Sequence, residues 1–213
     1  MKDRAASIGT KERLLRAGEQ LFRTRGYAGA SLKQLTQAAG APWGSAYHFF
    51  PDGKEQLGVE VVRQAGDFYG DGWRESFDRA DGPGDAIERV FRAEARILEA
   101  SDYRNGCPVA SVTLDTASTS EALRSACASA FEVWLRAIEG GLRKAGASDG
   151  EATALAGFVL SAIEGAIVLS RAAKSPAPLL QSAAFVREVV DRRAEDWRAA
   201  RANPVQTESS ERG

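Results

Sequence analysis

The chain has 213 residues, 44% hydrophobic and 27% charged, which is ordinary globular composition with enough apolar material for a full core. A net charge of −1 excludes a uniformly basic protein, but residues 1–57 hold nine Lys and Arg against five Asp and Glu, a net +4, while the remainder holds nineteen against twenty-four, a net −5. A basic head on an acidic body offers nucleic acid one preferred face.

No stretch of about 18 apolar residues is free of charge, and the first residues, MKDRAASIGTKER, contain no apolar signal core. The expectation is a cytoplasmic protein with no membrane partner. Cys107 and Cys127 are too far apart for a metal knuckle, and a reducing compartment argues against a disulfide.

In chain order, Thr10 is placed to cap a first helix whose Leu14, Leu15, Leu21 and Phe22 recur at helical spacing, closed by Gly26 and Tyr27. Ser31 with Gln34 three positions on matches a capping box, in which each side chain satisfies a backbone N–H of the other's residue. Leu32, Leu35, Ala38 and Ala39 then form an apolar face up to Gly40, whose tolerance of positive φ suits a helix end. Pro42 opens a second short helix, about Trp43 to Phe50, because a first helical position loses nothing without an N–H. Ala46 and Phe50 of that helix face inward, leaving Gly44, Ser45, Tyr47 and His48 outward. Two such short helices are marginal alone, and a second helix held by a first is the geometry that enters a major groove.

A long helix from about Lys54 to Arg79 follows, with Leu57, Val61, Ala65 and Phe68 on one stripe and Tyr69, Trp73 and Phe77 on the next. Gly66, Gly70 and Gly72 inside it signal either local compliance or close helix packing. DGPGD breaks the chain, and Ala86 to Ala100 reads as a helix, followed by a loop over Ser101–Pro108. VASVTLDTAS is β-branched and ambiguous, although its helical surroundings favour a short helix. Ser120 caps a helix to about Lys144 with Leu123, Cys127, Phe131, Trp134, Ile138 and Leu142 along one face. From Ala152 to Ser170 the one charge is Glu164, so that helix must be covered on more than one side. After KSPAPLL a last amphipathic helix carries Phe185, Val186, Val189 and Val190 to about Trp197, and a polar tail ends the chain.

From Thr10 to about Leu57 the chain resembles the DNA-binding domain of the tetracycline-repressor (TetR) family, through Gly44, Ser45, Tyr47, His48-Phe49-Phe50 and Lys54-Glu55. GCPVASVTLD at Gly106–Asp115 and AIEGAIVLSRAAKSPAPL at Ala162–Leu179 are similar to the branch that includes the lincomycin-resistance repressors. Trp43, where a polar residue is common, and Phe49, where His is common, depart from the pattern and bear on the operator sequence rather than the class. The resemblance implies an all-α protein: a three-helix helix-turn-helix head over 1–53, a roughly six-helix ligand-binding and dimerisation body over 54–201, and a disordered tail over 202–213. It implies a homodimeric transcriptional repressor released from a palindromic operator by a small apolar or amphipathic effector. The alternative is a helical carrier or enzyme with a vestigial head.

For the DNA contacts, Ser31, Lys33 and Lys54 suit phosphates or flanking bases, Tyr47 a phosphate or base edge, and Trp43, Gly44 and Ser45 base edges, with His48 beside them. Trp43 and Tyr47 also fit a pure packing role. His48 is the sole histidine and has no nucleophile or metal partner nearby, and no Gly-rich phosphate loop, CxxC pair or HExxH is present. No enzyme activity, metal or cofactor is therefore expected. Cys107, in a turn beside Pro108, is either a redox-sensing thiol or a small packed residue.

Glu94 falls near the centre of an apolar face formed by Ile87, Val90, Phe91, Ile97 and Leu98. A carboxylate there needs a cation, hydrogen bonds, a proton or a ligand; an internal salt bridge or an edge position reaching water would also account for it. Glu94 and Glu164 are the expected polar lining of an effector pocket walled by Phe68, Phe91, Phe131 and Trp134. Leu155, Phe158, Val159, Ile163 and Ile167, with Phe185 and Val189, are the expected dimer interface, a four-helix contact between two copies.

Overall fold

The computed structural model describes residues 9 to 202, and every regular element among them is an α-helix. α1 (Thr10–Arg25), α2 (Leu32–Ala38) and α3 (Trp43–Phe49) make the head, and α4 (Gly53–Arg79) runs out of it. α5 (Pro83–Ala100), α6 (Pro108–Thr116), α7 (Glu121–Ala145), α8 (Asp149–Ala173) and α9 (Ala177–Ala202) complete the body. The all-helical class and the division into a helix-turn-helix head and a helical body match the sequence expectation. The tail expected to be disordered lies, past Ala202, outside the described residues.

Local chemistry explains most of the helix boundaries. The Ser31–Gln34 capping box is formed in full, and Gly40 beyond α2 takes φ 56°. Thr10 does not cap α1; Gly9 stands at the cap and Thr10 is the first helical residue. Pro42 is likewise one position earlier than expected, at the cap of α3. On α2 the buried positions are Leu35 and Thr36, while Ala38 is exposed, because Thr36 can satisfy its hydroxyl on the Lys33 carbonyl at 2.9 Å and so bury its methyl. α5 begins three residues before the expected Ala86, since Pro83 at the first helical turn loses no hydrogen bond. VASVTLDTAS lies in α6 and its exit, with the Cys107 sulfur accepting from the Ala110 N–H at 3.3 Å as the cap.

Packing is tightest where glycine admits a neighbour. A Cβ on Gly70 of α4 would come within 2.6 Å of Val133 on α7, and one on Gly66 within 3.0 Å of Ala130. On α7, Gly141 receives the Phe77 ring of α4 in the same way. α4 is one uninterrupted helix, and three of its four internal glycines, Gly58, Gly66 and Gly70, serve close packing; Gly72 faces open space and has no such use. Between α5 and α9, Glu88 is clamped by Arg92 and Arg187, and both guanidinium groups hold its carboxylate below the usual range. α8 is long and apolar enough to cross a membrane by length and composition; here its Val159, Ile163, Ala166 and Ile167 are buried in the core of the body.

The contrast between the two glycines is testable by urea denaturation. Gly72→Ala should stabilise by about 0.5–1 kcal/mol through helix propensity. Gly70→Ala should instead destabilise by about 1–3 kcal/mol, because Val133 must move.

Candidate DNA-reading face and effector cleft

The head presents α3 on a scaffold of buried apolar groups. Ala46 and Phe50 are fully buried behind it, and Leu14, Phe22, Leu35 and Leu57 close the core beneath. Arg13 donates from Nε to the Ala39 carbonyl at 3.0 Å, joining α1 to the end of α2. On the outer side Trp43 is 52% and Tyr47 50% exposed, their rings edge to face at 5.8 Å. Aromatic rings of this size held half in water have given up burial that packing would provide. Gly44 has no atom within 4 Å of a would-be Cβ, Ser45 is half-buried, and Lys33 and His48 are exposed.

Two expected DNA contacts have internal partners. The Ser31 hydroxyl donates to Gln34 Oε1 at 2.9 Å within the capping box. Lys54 donates from Nζ to the Tyr27 carbonyl at 2.6 Å and sits 3.9 Å from the Tyr27 ring centre, and burial pulls its ammonium pKa down. With three N–H donors, Lys54 retains capacity for an acceptor from outside.

The body contains a narrow cleft between α4, α5, α7 and α8, lined by Tyr69, Trp73, Val90, Glu94, Cys107, Trp134, Leu160, Ile163, Glu164 and Ile167. Its water-sized room is about 40 Å³, enough for a few waters. An outer groove of about 340 Å³ shares Tyr69, Trp73, Val90 and Glu94 with it as a common wall.

The polar end of the cleft is tied to the head. Arg23 of α1 donates from Nε to the Gly106 carbonyl at 3.1 Å and from Nη1 to the Tyr69 hydroxyl, and its Nη2 stands 4.0 Å from Glu94. The Gly106 N–H donates back to the Arg23 carbonyl at 2.9 Å. Both carboxylates border the cleft, yet they lie deep between helices and burial raises both. For Glu94 the Arg23 charge opposes the rise. Glu164 is pushed up to about 7 by burial, against a hydrogen bond from the Cys107 thiol and with the Glu94 charge adding to the rise. Burial and the Glu164 charge in turn push the Cys107 thiol well up, which keeps it protonated and unlike a reactive thiolate.

Of the expected lining, the cleft brings together Glu94, Trp134 and Glu164. Phe91 does not belong to it: it is fully buried in the core, because Val90, one full turn from Glu94, takes the position beside the carboxylate. Phe68 is 70% exposed and lines the outer groove, one residue out of phase with Tyr69. Phe131 is half-buried and reaches the site only through its edge contact with Trp134 at 5.4 Å. Tyr69 and Trp73 were visible as a stripe but not as a pocket wall. Arg23 carried no signal, since a loop 83 residues away supplies its acceptor. Val159, Ile163 and Ile167 are buried within the chain's own core, so they are not free for a dimer contact, and the last two line the cleft. The apolar surface left on α8 and α9 includes Phe158, Val168, Leu169, Leu180 and Phe185, exposed, with Leu155 and Val189 half-buried.

A capped helix-turn-helix with an exposed aromatic and hydrogen-bonding face, borne on a helical body with a lined cleft, defines a DNA-binding transcriptional regulator. Residues 14–61 match the family model for bacterial regulatory proteins of the tetR family, and residues 83–185 the C-terminal domain of LmrA/YxaF-like transcriptional regulators. The chain is 34% identical over 171 residues to the uncharacterised HTH-type transcriptional regulator YxaF of Bacillus subtilis, covering 80% of this chain and 90% of that one. It is 32% identical over 183 residues to the HTH-type transcriptional regulator LmrA of the same organism, covering 86% and 97%. The structure of a cysteine mutant of the TetR family regulator CifR, complexed with 26-base-pair operator DNA, superposes with a TM-score of 0.71 at 25% identity, covering 88% of this chain and 98% of that one. The chain belongs to the TetR family, in its LmrA/YxaF-like branch, whose members are regulators and not enzymes.

The raised Glu164 carboxyl makes stability depend on pH in a definite direction. The folded state binds this proton more tightly than the unfolded chain, whose value is near 4.5, so Glu164 lowers stability as pH rises from about 4.5 through about 7. At pH 8 Glu164→Gln should therefore be more stable than the parent by up to about 3 kcal/mol. The two stabilities, measured by denaturant titration, should converge below about pH 4.5.

Proposed function

We propose that this regulator is a homodimeric repressor which binds a palindromic operator through two copies of α3 and leaves it when a small apolar or amphipathic effector enters the cleft. Residues 1–53 form the reading head, residues 54–201 the effector and dimer body, and the protein works in the cytoplasm, where its DNA is. What carries the proposal is the route from cleft to head: α4 bears Lys54 at its first turn and Tyr69 and Trp73 in the cleft wall, and Arg23 joins α1 to the same wall. An effector that widens the cleft must displace groups that position the head. It acts by preferring the body conformation in which the two heads no longer match the operator spacing.

In the operator complex Trp43, Gly44, Ser45, Tyr47 and His48 face the major groove, and Ser31, Lys33 and Lys54 face the phosphates. The dimer forms on Phe158, Val168 and Leu169 of α8 with Leu155, Phe185 and Val189, apolar surface that α8 and α9 leave uncovered. Exposed apolar area of this kind marks an interface.

A gel shift with the DNA upstream of the protein's own gene tests the DNA assignment. Binding should weaken steeply with salt, and Lys33→Ala should weaken all sequences alike while reducing the salt slope by about one. Trp43→Ala should change base preference at its own positions by about 1–3 kcal/mol; equal loss at every position would reduce Trp43 to a positioning role. Phe158→Asp should sediment as a monomer and lose operator binding, because a charge placed in the apolar contact is left without a partner. Monomeric parent protein at micromolar concentration would remove the dimer.

A further inference from the structure

We propose that the effector is an organic cation, an amine or amidine on an aromatic or aliphatic body, whose charged N–H donors sit between Glu94 and Glu164. The inference rests on the assignment of the cleft as the effector site and names the ligand class for it. Its basis is the balance of charge and of hydrogen-bonding groups around the cleft.

The charged and titratable groups facing this space come from each element around it. Arg23 stands on α1 with Glu19 beside it, Tyr69 on α4, Glu94 on α5, Cys107 before α6 and Glu164 on α8. Arg23 is the one cation within 4.0 Å of either cleft carboxylate among the described residues. It is also largely committed elsewhere, to the Gly106 carbonyl, the Tyr69 hydroxyl and, at 3.8 Å, Glu19. Two enclosed carboxylates therefore share one distant guanidinium, and Glu164 has the Cys107 thiol as its hydrogen-bond donor instead of a cation. A carboxylate in such surroundings holds a proton or acquires a counter-charge.

The wall also selects for donors. The Trp134 indole N–H is spent on the Gly66 carbonyl at 2.8 Å, and the Tyr69 hydroxyl already accepts from Arg23. The carboxylate oxygens of Glu94 and Glu164 are the strongest acceptors left for a ligand, beside the Tyr69 O–H, which can still donate. An anion would add to the negative charge of the ionised carboxylate, and a neutral acceptor would find only the proton that Glu164 holds while leaving Glu94 unpaired. A neutral donor would satisfy hydrogen bonds without balancing the charge; a cation does both. Rings of Tyr69, Trp73 and Trp134 in the wall favour the same choice, because the faces of aromatic rings attract cations. The outer groove supplies room for the apolar body of the ligand beside Phe68 and Ile97.

Calorimetry with a matched set, 4-phenylbutylamine, 4-phenylbutan-1-ol and 4-phenylbutyrate, tests the class directly. The amine should bind at least tenfold more tightly than the alcohol, and the carboxylate should not bind. Glu94→Gln and Glu164→Gln, each checked for folding by circular dichroism, should each reduce the amine's advantage by tenfold or more while changing the alcohol less than threefold. In the parent, amine affinity should fall as pH is lowered from 7 to 5.5, approaching tenfold per unit, because the ligand must then displace the proton that burial keeps on Glu164; in Glu164→Gln that dependence should flatten. An alcohol bound as tightly as the amine, an advantage that survives both variants, or no binding of any member at millimolar concentration would overturn the proposal. Amine binding that depends on both glutamates but leaves the operator complex intact would uphold the cation site and remove its regulatory role, so the two failures are distinguishable.

Discussion

Arg23 is the group on which the relation of head to body depends. Taking a guanidinium out of water costs several kcal/mol, and this one is kept in place because a loop carbonyl, a tyrosine hydroxyl and two carboxylates surround it. The backbone of the same residue is bound too, through the Gly106 N–H. Nearby, the Ala28 N–H donates to Asp115 at 2.8 Å and Gln20 to Asn105 at 3.2 Å, so the end of α1 is held along its length by α6 and the loop before it. The head is thus attached to the body by directional polar contacts as well as by core packing.

The glycine contacts between α4 and α7 provide the complementary property, rigidity. With Gly66, Gly70 and Gly141 admitting Ala130, Val133 and Phe77, the two long helices approach too closely to slide without lifting apart. Cores packed to this density transmit displacement rather than absorb it. Tyr69 and Trp73 lie on the same helix as Lys54, whose cation–π contact with Tyr27 joins the first turn of α4 to the loop after α1.

The acidic pair in the cleft and the capped head illustrate two different relations between local chemistry and function. In the head, the residues that bound α2 and α3 are where their own propensities place them: a hydroxyl at a cap, glycine at positive φ, proline at a helix entry. In the cleft, Glu94 and Glu164 sit against their propensity for water, and the surrounding helices rather than the residues themselves maintain the arrangement. Departures of that kind concentrate where a protein binds something.

The order of the helices other than α6, the capping box, the turn at Gly40 and the inward placement of Ala46 and Phe50 were determined by the sequence, because each depends on residues within about one or two helical turns of one another, whereas β-branched α6 took its type from its helical surroundings. Glu94 and Glu164 were legible for the same reason, as charges in apolar windows. Only the tertiary structure decided which aromatic rings face them. Phe91 and Val90 are neighbours in sequence and both apolar, and periodicity alone cannot fix the phase of a helix to within the one residue that separates core from cleft. It likewise decided that Val159, Ile163 and Ile167 turn inward while Phe158 and Leu169 remain outside, since an apolar helix carries no polar face to orient it. Arg23 is the extreme instance: its acceptors come from α4, α5 and the loop at Gly106, far away along the chain, and their convergence exists only once the helices have packed.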